Sequence, residues 1–256
     1  MIHNFEPNIQ AFSTERYIDE GFDLPYNGFN INPYCGDTPR HVTMCKEKIC
    51  KHLRMEERNL LMPHQVHGTR IVEVTEQTLQ SPGNQLEGVD GLITSLKDIC
   101  ICVSTADCVP LLFFDMANKT IAAVHAGWRG TLHRIGVVAL SSMYDAFGTR
   151  SENVRCVIGP SIGPEAFEVG DEVYEAFHRA GFPMQQIAFR MENSSHMSLW
   201  HINLWKANEW QLLQAGVLPE NISITGICTY TNYHRFFSAR RLGTNSGRIL
   251  NGIMMR

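Results

Sequence analysis

Cys108 and His125 each stand at the end of a short apolar run, where a rigid scaffold presents reactive groups to a loop. They lie in the stretch Asp90–Gly130, DGLITSLKDICICVSTADCVPLLFFDMANKTIAAVHAGWRG. Ile99–Val103, Val109–Phe114 and Thr120–Val124 read as buried strands, being short, β-branched and bounded by turn residues. With His67, from the segment Met62–Arg70, they make a His₂Cys set. Three protein ligands with a fourth position left for water is the pattern of a catalytic zinc site. Zinc would lower the pKa of its water to about 7 and supply hydroxide at neutral pH. The same three residues allow a metal-free reading, with Cys108 as thiolate nucleophile and His125 or His67 as its base. They also allow a copper centre with a weak axial Met. A multicopper enzyme needs many closely paired imidazoles. The 11 histidines here include no H-x-H, so copper is disfavoured.

Charged neighbours extend the set. Gly127–Trp128–Arg129–Gly130 joins a strand to a helix start, where backbone N–H groups and the helix dipole favour an anion. Arg129 is therefore the leading phosphate ligand. From Asn221 to Arg256 there is no Asp or Glu, and Arg240, Arg241 and Arg248 lie there. A guanidinium fork matches phosphate or carboxylate, so these are further candidates, set against a solvated basic tail. Asp107 is a candidate general acid/base, set against a buried Asp bonded to backbone in a tight turn.

These residues need elements to position them. A helix is predicted from Asp37 or Thr38, with Pro39 at its first position, to about Met55. Gln65–His67 is predicted to begin a strand that continues through Ile71–Val74. His64 and His67 would then point to opposite faces, and only one would reach a site. Glu76–Gly88 reads as loop. Thr131–Phe147 reads as an amphipathic helix ended by Gly148, and Val154–Ile158 as a strand leading into a second glycine-rich loop, Gly159–Pro164. Asp171–Ala180 is a predicted helix, Phe189–Trp200 a polar, irregular and mobile stretch. A helix from Asn203 to Ala215 and a strand Ile222–Cys228 follow. Residues 1–36 read as irregular to weakly β. Without strict βα alternation the fold class is α+β: a single domain over 1–256, with a mixed sheet core flanked by helices.

Bulk numbers narrow the functions. At 44% hydrophobic content there is ample core, and a net charge of −4 gives no case for nucleic acid or an acidic membrane. No run is long enough to span a bilayer, and no signal peptide is visible. None of the eight cysteines forms a C-x-x-C pair; Cys100, Cys102 and Cys156 read as core thiols. A reduced, cytoplasmic, soluble protein is expected.

The motifs HQVHG (His64–Gly68), DGLIT (Asp90–Thr94), TADCVPLLFFD (Thr105–Asp115), AAVHAGWRGT (Ala122–Thr131), IGPSIG with FEVG, CTYTN (Cys228–Asn232) and FFSARR…SGR (Phe236–Arg248) occur in this order. In this the chain resembles the YfiH-like, or laccase-domain, family from about Phe29 onward. That family has been labelled multicopper polyphenol oxidase and later purine nucleoside phosphorylase. The resemblance implies a single α+β domain and a zinc ion on His67, Cys108 and His125. It implies phosphorolysis of adenosine, inosine, guanosine and methylthioadenosine, with adenosine deamination, so purine nucleoside and phosphate are the implied partners. Some members are linked instead to correcting peptidoglycan precursors, which makes a hydrolase or amidase at the same site an alternative. A non-catalytic metal-binding protein is another, and a copper-dependent polyphenol oxidase is disfavoured. Phe167 and Ala239 stand where the family often has Tyr. The usual deaminase signature, a Glu beside a zinc-binding His with a C-x-x-C pair, is absent.

Overall fold

A computed structural model describes residues 1–17, 21, 24–81, 83–192 and 197–256. Two sheets lie face to face. One has six strands in the order Ile222–Ile224, Val154–Ile158, Val109–Asp115, Thr120–Ala126, Gly91–Thr94 and Ile71–Glu73. The other has five: Ile2–His3, Ile9–Ser13, Ile249–Met255, Cys100–Thr105 and Leu60–Leu61. Parallel and antiparallel pairs occur in both, as a mixed core requires.

Alternation along the central strands builds the layers. Leu112, Phe114, Ile121 and Ala123 pack between the sheets with Ile101, Val103 and Ile253. Leu111, Phe113, Ala122 and Val124 face the other way, onto Ile135, Ala139 and Met143 of the helix Ile135–Phe147. The far face of the five-stranded sheet, with Cys100, Cys102 and Met254, is covered by Cys45, Ile49 and Leu53 of the helix Pro39–Leu53. The order is helix, sheet, sheet, helices. Strands buried on both faces need apolar residues at every position, which is why the central three were legible.

Several expectations are corrected. Gln65–His67 is no strand: His67 takes the left-handed conformation at φ 61°. The helix expected from Thr131 begins at Trp128, ends at Leu132 and restarts at Ile135. Arg134 makes the break, with φ 60° and its guanidinium over the Phe182 and Trp210 rings. The loop expected over Glu76–Gly88 contains the helix Glu76–Gln80, capped by Thr75. Ala188–Glu192 and Ser198–Ile202 pair as an antiparallel hairpin in a third, three-stranded sheet, where irregular chain was expected; residues 193–196 of that stretch lie outside the described residues. The strand expected over Ile222–Cys228 stops at Ile224. Ile249–Met255, not anticipated, is wholly buried at the centre of the five-stranded sheet.

Candidate active site

Cys108 immediately precedes the strand Val109–Asp115, and His125 lies near the end of its antiparallel neighbour, opposite Pro110. The ladder therefore carries both to one edge. His67 reaches them from a loop pinned by two side chains. Gln65 pairs with the backbone of Ser104, donating to its oxygen at 2.8 Å and accepting from its nitrogen at 2.8 Å. Asp90, fully buried, accepts from the backbone N–H groups of Val66, His67 and Gly68 at 3.2, 2.9 and 2.7 Å. The left-handed turn at His67 curls these three donors around one carboxylate.

The result is a single cluster. Among the described residues, His67, Cys108 and His125 are the one group of three or more His, Cys, Asp or Glu side chains placed to share a metal ion, with donor atoms all within 4.8 Å. His67 Nε2 lies 3.7 Å from Cys108 Sγ, and the two imidazoles are edge to face at 4.8 Å. Asp90 Oδ1 accepts from His125 Nδ1 at 2.8 Å. A carboxylate oxygen can only accept, so Nδ1 carries the proton and Nε2 is left for the cluster. Gly127 makes room: a Cβ there would stand 2.9 Å from His67 Cδ2 and 3.2 Å from Cys108 Sγ.

Electrostatics make Cys108 and His125 a thiolate–imidazolium pair, in which a bound metal would take the place of the His125 Nε2 proton. Burial pushes the Cys108 thiol up, but the charge of His125 and hydrogen bonds from both histidines outweigh it and bring it down to about 6. Burial pushes His125 down; the Cys108 thiolate and Asp90 outweigh that and lift it to about 9. For Asp90, burial is likewise outweighed, chiefly by His125, and its carboxyl stays below the ordinary value. A thiolate, an imidazole oriented by a carboxylate and a second imidazole suit zinc. With bonds of about 2.1 Å to nitrogen and 2.3 Å to sulfur, tetrahedral zinc wants nitrogen and sulfur about 3.6 Å apart, close to the His67–Cys108 separation.

The cluster lines a cavity of about 680 Å³, within the range of small-molecule sites. Arg240 and Arg248 line it too; Arg129 and Arg241 do not. Arg129 is exposed and lies over the ring of its neighbour Trp128 at 4.2 Å, and Arg241 lies over Tyr230 and Tyr233. Arg248 spends its guanidinium on the oxygens of Thr244, Ser246 and Gly247. Arg240 makes only long bonds, 3.3 to 3.5 Å, to Ala166 and Glu168 oxygens. It is the arginine best placed to take an anion. Asp107 does not turn to the cluster. Its φ is 84°, and its two oxygens accept from Thr229 Oγ1 at 2.7 Å and from the backbone N–H of Arg240 at 2.6 Å. Its geometry is that of a tie between the Cys108 loop and the helix Ala239–Leu242, not of a free acid.

Sequence reasoning missed Asp90, Gln65 and His64. Nothing in the sequence around Asp90 marks it out, and its neighbour relation to His67 and His125 is purely tertiary. Strand alternation allowed only one of His64 and His67 at a site; with no strand there, both histidines line the same cavity.

Residues 10–256 match the family described as multi-copper polyphenol oxidoreductase laccase. A purine nucleoside phosphorylase of Bacteroides thetaiotaomicron is 43% identical, over 97% of this chain and 92% of that protein. Adenosine deaminase RL5, from an unknown prokaryotic organism, is 38% identical over 96% and 93%. The fold is shared with the Bacillus licheniformis hypothetical protein YfiH, with TM-score 0.87 and 24% identity over 97% of this chain and 93% of that one.

Proposed function

The chain belongs to the multi-copper polyphenol oxidoreductase laccase family, and from that premise we propose that it is a zinc-dependent purine nucleoside phosphorylase that also deaminates adenosine. One observation carries the reading: a three-donor cluster, oriented by a carboxylate and without a fourth protein ligand among the described residues, lines a cavity whose wall holds Arg240. The names of the relatives supply the substrate class. An open position favours catalysis over a structural metal site.

His67, Cys108 and His125 would hold the zinc. When bound, it supplies a Lewis acid and a water acidified to about neutrality. The remaining work falls to the chain. Arg240 binds phosphate at the cavity wall through a guanidinium that its protein contacts hold only loosely. Trp128, Ile162, Phe167 and Leu204 line the same cavity and keep water from the oxocarbenium-like state through which C1′ passes. Asp107 holds Arg240 in register with the Cys108 loop. Adenosine, inosine, guanosine and methylthioadenosine share the purine and the C1′–N9 bond that this arrangement addresses.

The test is product analysis with zinc-loaded protein and adenosine. With phosphate, adenine and ribose 1-phosphate are expected, and inosine without it. Cys108→Ala should lose both. Zinc-bound protein that turns over no nucleoside would overturn the proposal and direct attention to cell-wall precursors.

A further inference from the structure

A purine leaving C1′ takes the bonding electrons with it and needs a proton. Three titratable groups on the cavity are the metal donors. Asp107 has both oxygens engaged. Cys35 is buried and its Sγ contacts the Asn32 oxygen at 3.2 Å. What remains is His64, with Tyr34 stacked on it; both line the cavity.

The His64 ring is held on two sides. Its ring centroid lies 3.9 Å from that of Tyr34, with the two planes at 23°. Its Nδ1 lies 2.7 Å from Glu87 Oε2, and the carboxylate can only accept, so Nδ1 carries a proton. Among the described residues Nε2 has no hydrogen-bond partner. The backbone brackets the ring as well: His64 donates to Leu86 at 2.9 Å and accepts from Val89 at 3.3 Å. Arg70, which donates to the Glu87 backbone oxygen at 2.8 Å, is the other charged group facing this corner. A carboxylate on one ring nitrogen and a free second nitrogen is the arrangement that makes histidine a proton donor and acceptor.

We propose that His64 is the general acid that protonates the departing purine at N7, an inference that rests on the phosphorylase reading. The C1′–N9 bond breaks and its electron pair passes into the purine ring. The Nε2–H of the charged imidazole gives its proton to N7. A phosphate oxygen forms the new bond to C1′, and the proton that phosphate sheds returns His64 to its charged form through solvent. Glu87 fixes the ring through Nδ1 and so aims Nε2 at the cavity, and Tyr34 keeps it in plane.

The test compares inosine with 7-methylinosine, whose N7 already carries the positive charge and needs no proton. In His64→Asn, kcat for inosine is expected to fall about 100-fold, with the KM for phosphate and the zinc content unchanged. Cleavage of 7-methylinosine should stay near the wild-type rate. Glu87→Gln, which leaves the ring in place, should show the same selectivity in milder form, and serves if the first variant fails to fold. Equal losses on both substrates, or no loss on either, would overturn the role of His64 while leaving the phosphorylase intact. Wild-type protein inert towards inosine and phosphate would instead remove the premise.

Discussion

Asp90 serves one site through four hydrogen bonds, three from the His67 loop and one from His125. Loss of such an outer carboxylate costs about 10- to 100-fold in metal affinity. Asp90→Asn should weaken zinc binding by that factor, measured by competition with a chromophoric chelator; an unchanged affinity would mean that His125 needs no orienting anion. Cys108 and His125 were legible, because Cys and His at strand ends are chemically loaded, and His67 stood out through the HQVHG motif. Their supports were not. Asp90 lies 23 residues from His67 and 35 from His125, and nothing local in DGLIT distinguishes an Asp that caps a turn from one that collects backbone N–H groups. Arg129 misled because charge beside a helix start suggests an anion site, whereas the guanidinium settles on the Trp128 ring.

At the scale of elements, the Ile2–His3 strand carries a pH-sensitive contact. Ser13 donates its hydroxyl proton to Asn251 at 2.6 Å, so it must accept from His3 Nε2 at 2.9 Å. Burial, with the N-terminal ammonium nearby, pushes His3 down to about 4 from 6.5. The unfolded chain then takes up this proton before the folded one. The contribution is present above pH 6.5 and is lost as pH falls towards 4; it amounts to about 3 kcal/mol at most. Denaturant titrations across that window should show the loss in the wild type and a smaller one in His3→Gln, whose amide can still donate to Ser13. Equal acid sensitivity would assign the effect elsewhere. Helices with caps and apolar spacing, such as Pro39–Leu53 with Thr38 before it, were readable in sequence. The hairpin Ala188–Glu192 with Ser198–Ile202 was not, since its first strand is largely exposed and carries no alternation of apolar residues.

At the scale of the whole molecule, the site joins parts far apart in the chain. His67 comes from a loop, Cys108 and His125 from the six-stranded sheet, and Arg240 from the segment leading to the last strand. Zinc that binds only this assembled form should stabilise it by about 2.7 kcal/mol at a hundredfold excess over Kd, or about 5–10 °C in Tm for a chain of this size. Calorimetry with zinc and with a chelator measures this, and Cys108→Ala should abolish the difference. No helix among the described residues is long and apolar enough to cross a membrane. By itself the sequence determined the mixed α+β class, the three central strands and the candidate set of His67, Cys108 and His125 that the fold brings together, because doubly buried strands and reactive side chains leave local signatures. Only the tertiary structure decided that the core is two stacked sheets, that Asp90 joins His67 to His125, that Asp107 ties Arg240 to the Cys108 loop and that His64 shares the cavity. Those relations rest on hydrogen bonds between residues distant in sequence, and a left-handed turn at His67 that no local pattern announced turned the predicted strand into the loop that delivers them.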